Sequence, residues 1–199
     1  MRTTTTLLVL VSAIGVGCGS DEGEVIVSAY GEDFIELGLT SEDLEDDWSV
    51  NFSRFDVSVD AVDIADLSLQ SLGSVALARE SGGEGHEIAR GMAAVGDYDG
   101  PRYVMSDIRV TGQAVLGNMT KAFDWSFPAS VTYENCETRT SVSADGAARF
   151  EITVHSDHLF YDSLVAEEPL LFFGPIAAAD TNDDGDITQS ELAGTDSGA

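Results

Sequence analysis

The chain has 199 residues, with 36 acidic side chains against 9 basic ones and a formal net charge of −27. A surface of this charge repels nucleic acid and anionic membranes and attracts cations, so we expect no nucleic-acid partner. The hydrophobic fraction of 43% excludes wholesale disorder, because that much apolar surface can offset the conformational entropy of the chain. The length is that of one ordinary domain with a small appendage.

Residues 1–17 have the pattern of an export signal. Arg2 precedes an apolar run from Leu7 to Val16, and this run is too short to span a bilayer. Gly17 and Cys18 follow, and the segment resembles a bacterial lipoprotein signal, in which the cysteine is lipidated and becomes the first residue of the mature protein. The resemblance implies an exported protein of the bacterial cell envelope that is anchored through Cys18, most simply in the outer membrane. The membrane face on which the protein lies stays open.

After a short tether at residues 18–24, residues 25–155 alternate apolar and polar side chains with a period of two. The alternation through Trp48, Val50 and Phe52 slips by one position at Ser53-Arg54, which predicts a β-bulge. Many short strands separated by glycine-rich turns predict a mainly β protein, an antiparallel β-sandwich of Ig-like or similar type. Further strand candidates are Val25–Ala29, Phe55–Val59, Val75–Ala78, Glu87–Met92, Tyr103–Val110, Ala122–Phe127, Val131–Tyr133 and Ala148–Val154.

Three local signals predict how some of these elements begin or connect. Asp145-Gly146 lies between two alternating runs and is typical of a hairpin turn. Thr40 and Asp43 form a capping-box-like pair, which predicts a short helix over Thr40–Leu44. Ser156 precedes Asp157–Leu164, where we predict a second short helix.

Residues 156–199 are expected to contain short helices and an acidic loop, which we define as residues 180–191. The loop reads Asp-Thr-Asn-Asp-Asp-Gly-Asp-Ile-Thr-Gln-Ser-Glu, with oxygen-bearing side chains at positions 1, 3 and 5, glycine at 6 and glutamate at 12. It resembles the twelve-residue calcium loop of EF-hand proteins. The resemblance implies a Ca²⁺ ion held by Asp180, Asn182, Asp184, the Asp186 carbonyl and Glu191, with Thr188 binding directly or through water.

The sequence on either side of the acidic loop is unlike that of a paired calcium sensor. Pro175 limits the entering helix, which we expect to begin at or after this residue. Thr188 and Glu191 form a capping box that predicts an exiting helix from Gln189. No second loop matches the pattern, so we expect the loop to lean on the β domain and to hold a structural ion rather than to act as a switch.

A second metal chemistry is the alternative. His155 and His158, together with Cys136, could form a zinc or copper site in a metal-dependent enzyme or metal carrier. The same residues also fit a polar strand end followed by a helix cap. If Cys18 carries lipid, Cys136 is the only thiol left and no intrachain disulfide can form. We therefore expect a non-enzymatic calcium-binding module; the sequence identifies no protein or glycan partner.

Overall fold

The computed structural model describes residues 21–134 and 136–194, and strands make up most of their regular structure. The strand content is 54% and the helix content 10%, so the prediction of a mainly β protein is confirmed. The signal segment and Cys18 lie outside the described residues. The strands are β1 (Glu22–Tyr30), β2 (Ser49–Ile64), β3 (Leu67–Ser71), β4 (Gly73–Ala76), β5 (His86–Ala94), β6 (Gly96–Asp99), β7 (Arg102–Leu116), β8 (Met119–Tyr133), β9 (Arg139–Val142), β10 (Ala147–Thr153) and β11 (Asp186–Thr188), and the helices are α1 (Glu32–Glu36), α2 (Gly174–Ala177) and α3 (Gln189–Gly194).

Nine of the strands described form one large mixed sheet. Its order is β10-β1-β5-β3-β2-β7-β8-β11, with β4 also paired to β2, while β6 and β9 form a separate pair. The expectation of a purely antiparallel arrangement is wrong at two places, because β1 pairs in parallel with β10 and β11 pairs in parallel with β8. Both parallel pairs join strands that are distant in the sequence, and strand alternation alone does not specify such partners.

The long antiparallel strands β2, β7 and β8 form the centre of the sheet. The register of β2 against β7 shifts between Phe52 and Arg54, which confirms the predicted bulge. Strands β7 and β8 are joined by a two-residue turn between Leu116 and Met119, where Gly117 has a φ of 58°. A glycine at the first central position suits this tight hairpin because it has no β-carbon to oppose a positive φ.

Several local predictions are wrong in the type or extent of the element. Asp145-Gly146 does form a turn, with the Gly146 amide donating to the Ser143 carbonyl at 3.0 Å. The flanking strands do not form a hairpin, however, since β9 pairs with β6 and β10 pairs with β1. The two candidate strands from Ala122 to Tyr133 are one continuous strand, β8.

Of the two predicted helices outside the acidic loop, one is absent and the other is shorter than expected. Residues 40–44 form turns, although the Thr40 amide does donate to the Asp43 carboxylate at 2.7 Å. Only Asp157–Leu159 is helical in the second segment, as a single 3-10 turn. The Thr40–Asp43 pair forms without a helix after it. The predicted cap at Ser156 does not form, since its side chain makes no capping hydrogen bond and its buried hydroxyl has no partner among the described residues, and a helix start without a cap is weaker.

The C-terminal segment packs into the same core as the strands. Phe160, Phe173, Ala179 and Ile187 are all buried within the cluster that the sheet residues form. Phe173 contacts Trp48 and Phe123 with ring centroids 5.1 and 6.3 Å apart. The first half of the acidic loop is therefore held at both ends, because Ala179 before it and Ile187 after it are buried in the hydrophobic core.

Candidate metal centre

The acidic loop is docked on the edge of the sheet beside β8. Its residues Asp186–Thr188 form β11, which pairs in parallel with Ala122–Asp124. The Ala122 amide donates to the Gly185 carbonyl at 2.8 Å, and the Trp125 indole nitrogen donates to the Ile187 carbonyl at 3.0 Å. Ile187, at position 8, is 1% exposed. The sheet thus holds the loop through backbone hydrogen bonds and one buried side chain.

The first half of the loop wraps its side-chain oxygens around its own backbone amides. Both carboxylate oxygens of Asp180 accept, Oδ1 from the Asp184 amide at 3.2 Å and Oδ2 from the Gly185 amide at 3.0 Å. Asn182 Oδ1 also accepts from the Asp184 amide, and Asp184 Oδ1 accepts from the Asp186 amide. Gly185 has a φ of 91°, which lets the chain turn sharply here. Positions 1, 3 and 5 therefore direct oxygen atoms toward the inside of one turn.

The second half of the loop is arranged as a helix start. Glu191 Oε2 accepts from the Thr188 amide at 3.0 Å and from the Thr188 hydroxyl at 2.7 Å, and the Glu191 amide donates back to that hydroxyl at 3.3 Å. This is the predicted capping box, and α3 begins at Gln189 as expected. The entering helix α2 begins at Gly174, one residue before Pro175, close to the predicted position.

The donor atoms of the loop are of the kind that Ca²⁺ takes, but its carboxylates are not gathered at one point. Among the described residues, no three His, Cys, Asp or Glu side chains are placed together to hold a metal ion. The set offers only carboxylate, amide and carbonyl oxygens, which are hard ligands suited to Ca²⁺ rather than to zinc or copper. For Glu191 to bind an ion through both oxygens, Oε2 would have to share or give up its hydrogen bonds from Thr188.

Lys121 is a residue of this centre that the sequence did not reveal. Its ammonium lies 2.5 Å from Asp180 Oδ2 and 3.4 Å from Asp183 Oδ1. The Asp180 side chain is fully buried and that of Lys121 is 15% exposed. The hydrogen bond to Lys121 holds the pKa of Asp180 below its usual value, and the same bond raises the pKa of Lys121. The chain contains no other lysine, but composition alone does not indicate where this one lies.

Of the three side chains of the alternative metal cluster, the two histidines lie together and the cysteine does not. The rings of His155 and His158 stack with centroids 5.3 Å apart and planes 10° from parallel, and His155 Nδ1 lies 3.1 Å from a Glu32 carboxylate oxygen. Cys136 lies elsewhere, since its thiol donates to the Pro101 carbonyl at 3.2 Å. In the part of the chain that the structure describes, these three side chains do not form a metal-holding group.

The remaining sequence prediction concerns the membrane anchor. Cys18 falls outside residues 21–134 and 136–194, so the structure gives no information on it. None of the helices within those residues is long and apolar enough to cross a bilayer. A comparison of the chain with known protein families, with characterised proteins and with solved structures found no match in any of the three.

Proposed function

We propose that this protein is an exported, lipid-anchored envelope protein in which Ca²⁺ fastens the C-terminal segment to the β-sheet. The observation that carries the proposal is the acidic loop itself, an ordered series of oxygen donors docked beside β8. The side chains of Asp180, Asn182 and Asp184, the Asp186 carbonyl and the Glu191 carboxylate would hold the ion. Its chemistry would be electrostatic: it would neutralise clustered carboxylates, and no catalytic group is assigned.

The pairing of β11 with β8 supports the proposal because it explains how a single loop is held. EF-hand loops usually occur in pairs, and each loop braces the other. Here Asp186–Thr188 pairs with a strand of the sheet, and Ile187 is buried against the core. Strand β8 thus provides the support that a second loop would give. An unpaired, exported loop of this kind resembles extracellular calcium modules, whose dissociation constants are about 10⁻⁴–10⁻³ M.

We further propose that the large sheet folds over into two facing layers and so forms a β-sandwich. A single hydrophobic cluster contains Val27 of β1 and Phe150 of β10 together with Val57 of β2 and Trp125 of β8. Strands at one end of the sheet order therefore share a core with strands near the other end, as the two facing layers of a sandwich do.

The calcium proposal is tested by thermal unfolding of the mature chain in excess chelator and in about 10 mM Ca²⁺. With a dissociation constant of about 10⁻⁴–10⁻³ M, calcium adds about 1.4–2.7 kcal/mol to the free energy of unfolding. For a chain of this size we expect the melting temperature to rise by about 3–10 °C. Identical curves under the two conditions would refute calcium binding.

Two variants of Glu191 separate ion binding from helix capping. Glu191→Ala removes both the twelfth ligand and the capping box, whereas Glu191→Gln keeps an acceptor for the Thr188 amide and loses the bidentate carboxylate. We expect both variants to lose the calcium-dependent rise, with Glu191→Gln the more stable of the two in chelator. Glu167→Ala, which removes an exposed carboxylate outside the loop, should keep the full rise.

The lipid anchor is tested separately by mass spectrometry of the protein from the membrane fraction. We expect an acylated Cys18 as the first residue of the mature chain, because the segment before it resembles a lipoprotein signal. An unmodified N-terminus, or cleavage at another residue, would contradict the anchor without affecting the calcium proposal. For zinc or copper at His155 and His158, the described residues supply no third ligand, and we put forward no second function.

A further inference from the structure

We propose that Lys121 acts as a built-in counter-cation of the acidic loop, holding the loop together when calcium is absent and weakening calcium binding when it is present. The second half of this inference rests on the proposal that the loop binds calcium. The first half concerns the calcium-free protein alone and can be tested by itself.

The strand that carries Lys121 fixes its ammonium at the start of the loop. Lys121 is paired with Ala114 of β7, and the next residue, Ala122, is paired with Asp186 of the loop. The backbone of Lys121 is thus held between a long antiparallel ladder and the loop itself. Because its side chain is 15% exposed and the Asp180 side chain is fully buried, their ion pair is largely shielded from water.

The two oxygens of Asp180 are in different situations. Oδ2 already accepts from Lys121 and from the Gly185 amide, whereas Oδ1 has one donor among the described residues, the Asp184 amide at 3.2 Å. Oδ1 is therefore the oxygen available to a metal ion at loop position 1. Calcium on Oδ1 and the ammonium on Oδ2 would share one carboxylate and lie about 5 Å apart, given ordinary calcium–oxygen distances.

Two cations at this separation repel each other enough to affect the affinity. For a divalent ion and a single charge about 5 Å apart, Coulomb's law with the dielectric constant of water already gives a penalty worth about tenfold in binding. Salt lowers this penalty and partial burial raises it. If calcium instead displaces the ammonium, binding must break a shielded ion pair, which also lowers the affinity. Both routes lower the calcium affinity, so removal of the ammonium should tighten calcium binding.

Without calcium the ammonium has the opposite effect on the loop. Asp180, Asp183, Asp184 and Asp186 place four carboxylates within seven residues, and they repel one another. Among the ion pairs of the described residues, Lys121 is the cation that contacts them. Its loss should loosen the turn in which the Asp184 and Gly185 amides donate to Asp180.

The experiment compares the wild-type mature chain with Lys121→Met, which keeps an unbranched side chain of nearly the same length and removes its charge. Arg149→Met is the matched control, because Arg149 is exposed and lies on β10, at the far end of the sheet order from β11. Calorimetric titration with Ca²⁺ at fixed ionic strength measures affinity. Backbone hydrogen exchange in chelator measures how well the Asp184 and Gly185 amides are protected.

We expect Lys121→Met to bind calcium about tenfold more tightly than the wild type, and Arg149→Met to stay within about twofold of it. In chelator, exchange at the Asp184 and Gly185 amides should be faster in Lys121→Met alone. Calcium binding by Lys121→Met that is equal to or weaker than that of a calcium-binding wild type would overturn the affinity half and leave the proposed function standing. No calcium binding by either protein would overturn the affinity half and the proposed function together. Unchanged exchange in chelator would overturn the holding half.

Discussion

Replacement of Ile187 by alanine is expected to loosen the acidic loop from the sheet and to destabilise the protein. Ile187 is 1% exposed and is the central residue of β11, the three-residue strand that attaches the loop to β8. The same residue's carbonyl accepts the hydrogen bond from the Trp125 indole. The indole N–H proton of Trp125 gives a distinct nuclear magnetic resonance signal, so the effect of a change at Ile187 can be followed there.

The size of the effect follows from the atoms removed. Isoleucine to alanine deletes three carbon groups, worth about 2.4 kcal/mol at about 0.8 kcal/mol each, and an imperfectly collapsed cavity brings the cost to about 3 kcal/mol. Ile187→Val should cost about 1 kcal/mol. The loss cannot exceed the free energy with which the C-terminal segment docks, because beyond that point the segment detaches while the rest of the sheet stays folded.

Urea unfolding followed by tryptophan fluorescence measures the free energy of unfolding, and nuclear magnetic resonance measures exchange of the Trp125 indole proton. We expect the alanine variant to lose about 3 kcal/mol, or to detach locally with rapid exchange of the indole proton. Leu37→Ala, at a side chain that is 64% exposed, should change stability by less than about 0.5 kcal/mol. A cost below about 1 kcal/mol for Ile187→Ala, with the indole proton still protected, would refute the docking argument.

Two further predictions concern Asp46, whose carboxylate caps the start of α2, and Tyr103 of β7. Asp46 Oδ2 accepts from the Phe173 and Gly174 amides at 3.0 and 2.5 Å, so Asp46→Ala should cost about 1–2 kcal/mol in urea unfolding and Asp46→Asn less; equal stability of all three proteins would show that this cap is idle. Burial, followed by the nearby Cys136 and Tyr133, raises the pKa of Tyr103 from 10.0 to about 12. Because the folded pKa lies above the unfolded one, this contribution to stability is complete below pH 10 and is lost as the pH rises to about 12, and in Tyr103→Phe the alkaline loss of stability should be smaller.

Local patterns in the sequence were sufficient for much of the sheet. Alternation through Trp48, Val50 and Phe52, with its slip at Ser53-Arg54, predicts both β2 and its bulge, because side-chain direction in a strand depends only on neighbouring residues. Strand β6 was not predicted, since Asp97-Tyr-Asp-Gly-Pro101 is typical of a turn. It forms because Arg139–Val142 lies beside it, and the local composition gives no sign of that partner.

The candidate site was likewise predicted only in part from the sequence. The order of oxygen donors from Asp180 to Glu191 is visible in the sequence because the loop is one continuous segment. Lys121 is 59 residues from Asp180, and only the pairing of β8 with β11 brings the two together. His155 and His158 show the converse case, in which two close and suggestive residues stack on each other and gain no third ligand among the described residues.

The parallel pairs at the two ends of the sheet also constrain the order in which the fold can be completed. Ser28 of β1 donates to the carbonyl of Phe150, 122 residues away, and the Trp125–Ile187 bond spans 62 residues. Strand β1 is buried along most of its length, yet it has no partner on its outer side until β10 exists. During synthesis one edge of this apolar strand therefore stays unpaired until most of the chain has been made. An unpaired strand edge of this kind can pair with another chain, so we expect misassembly to begin there.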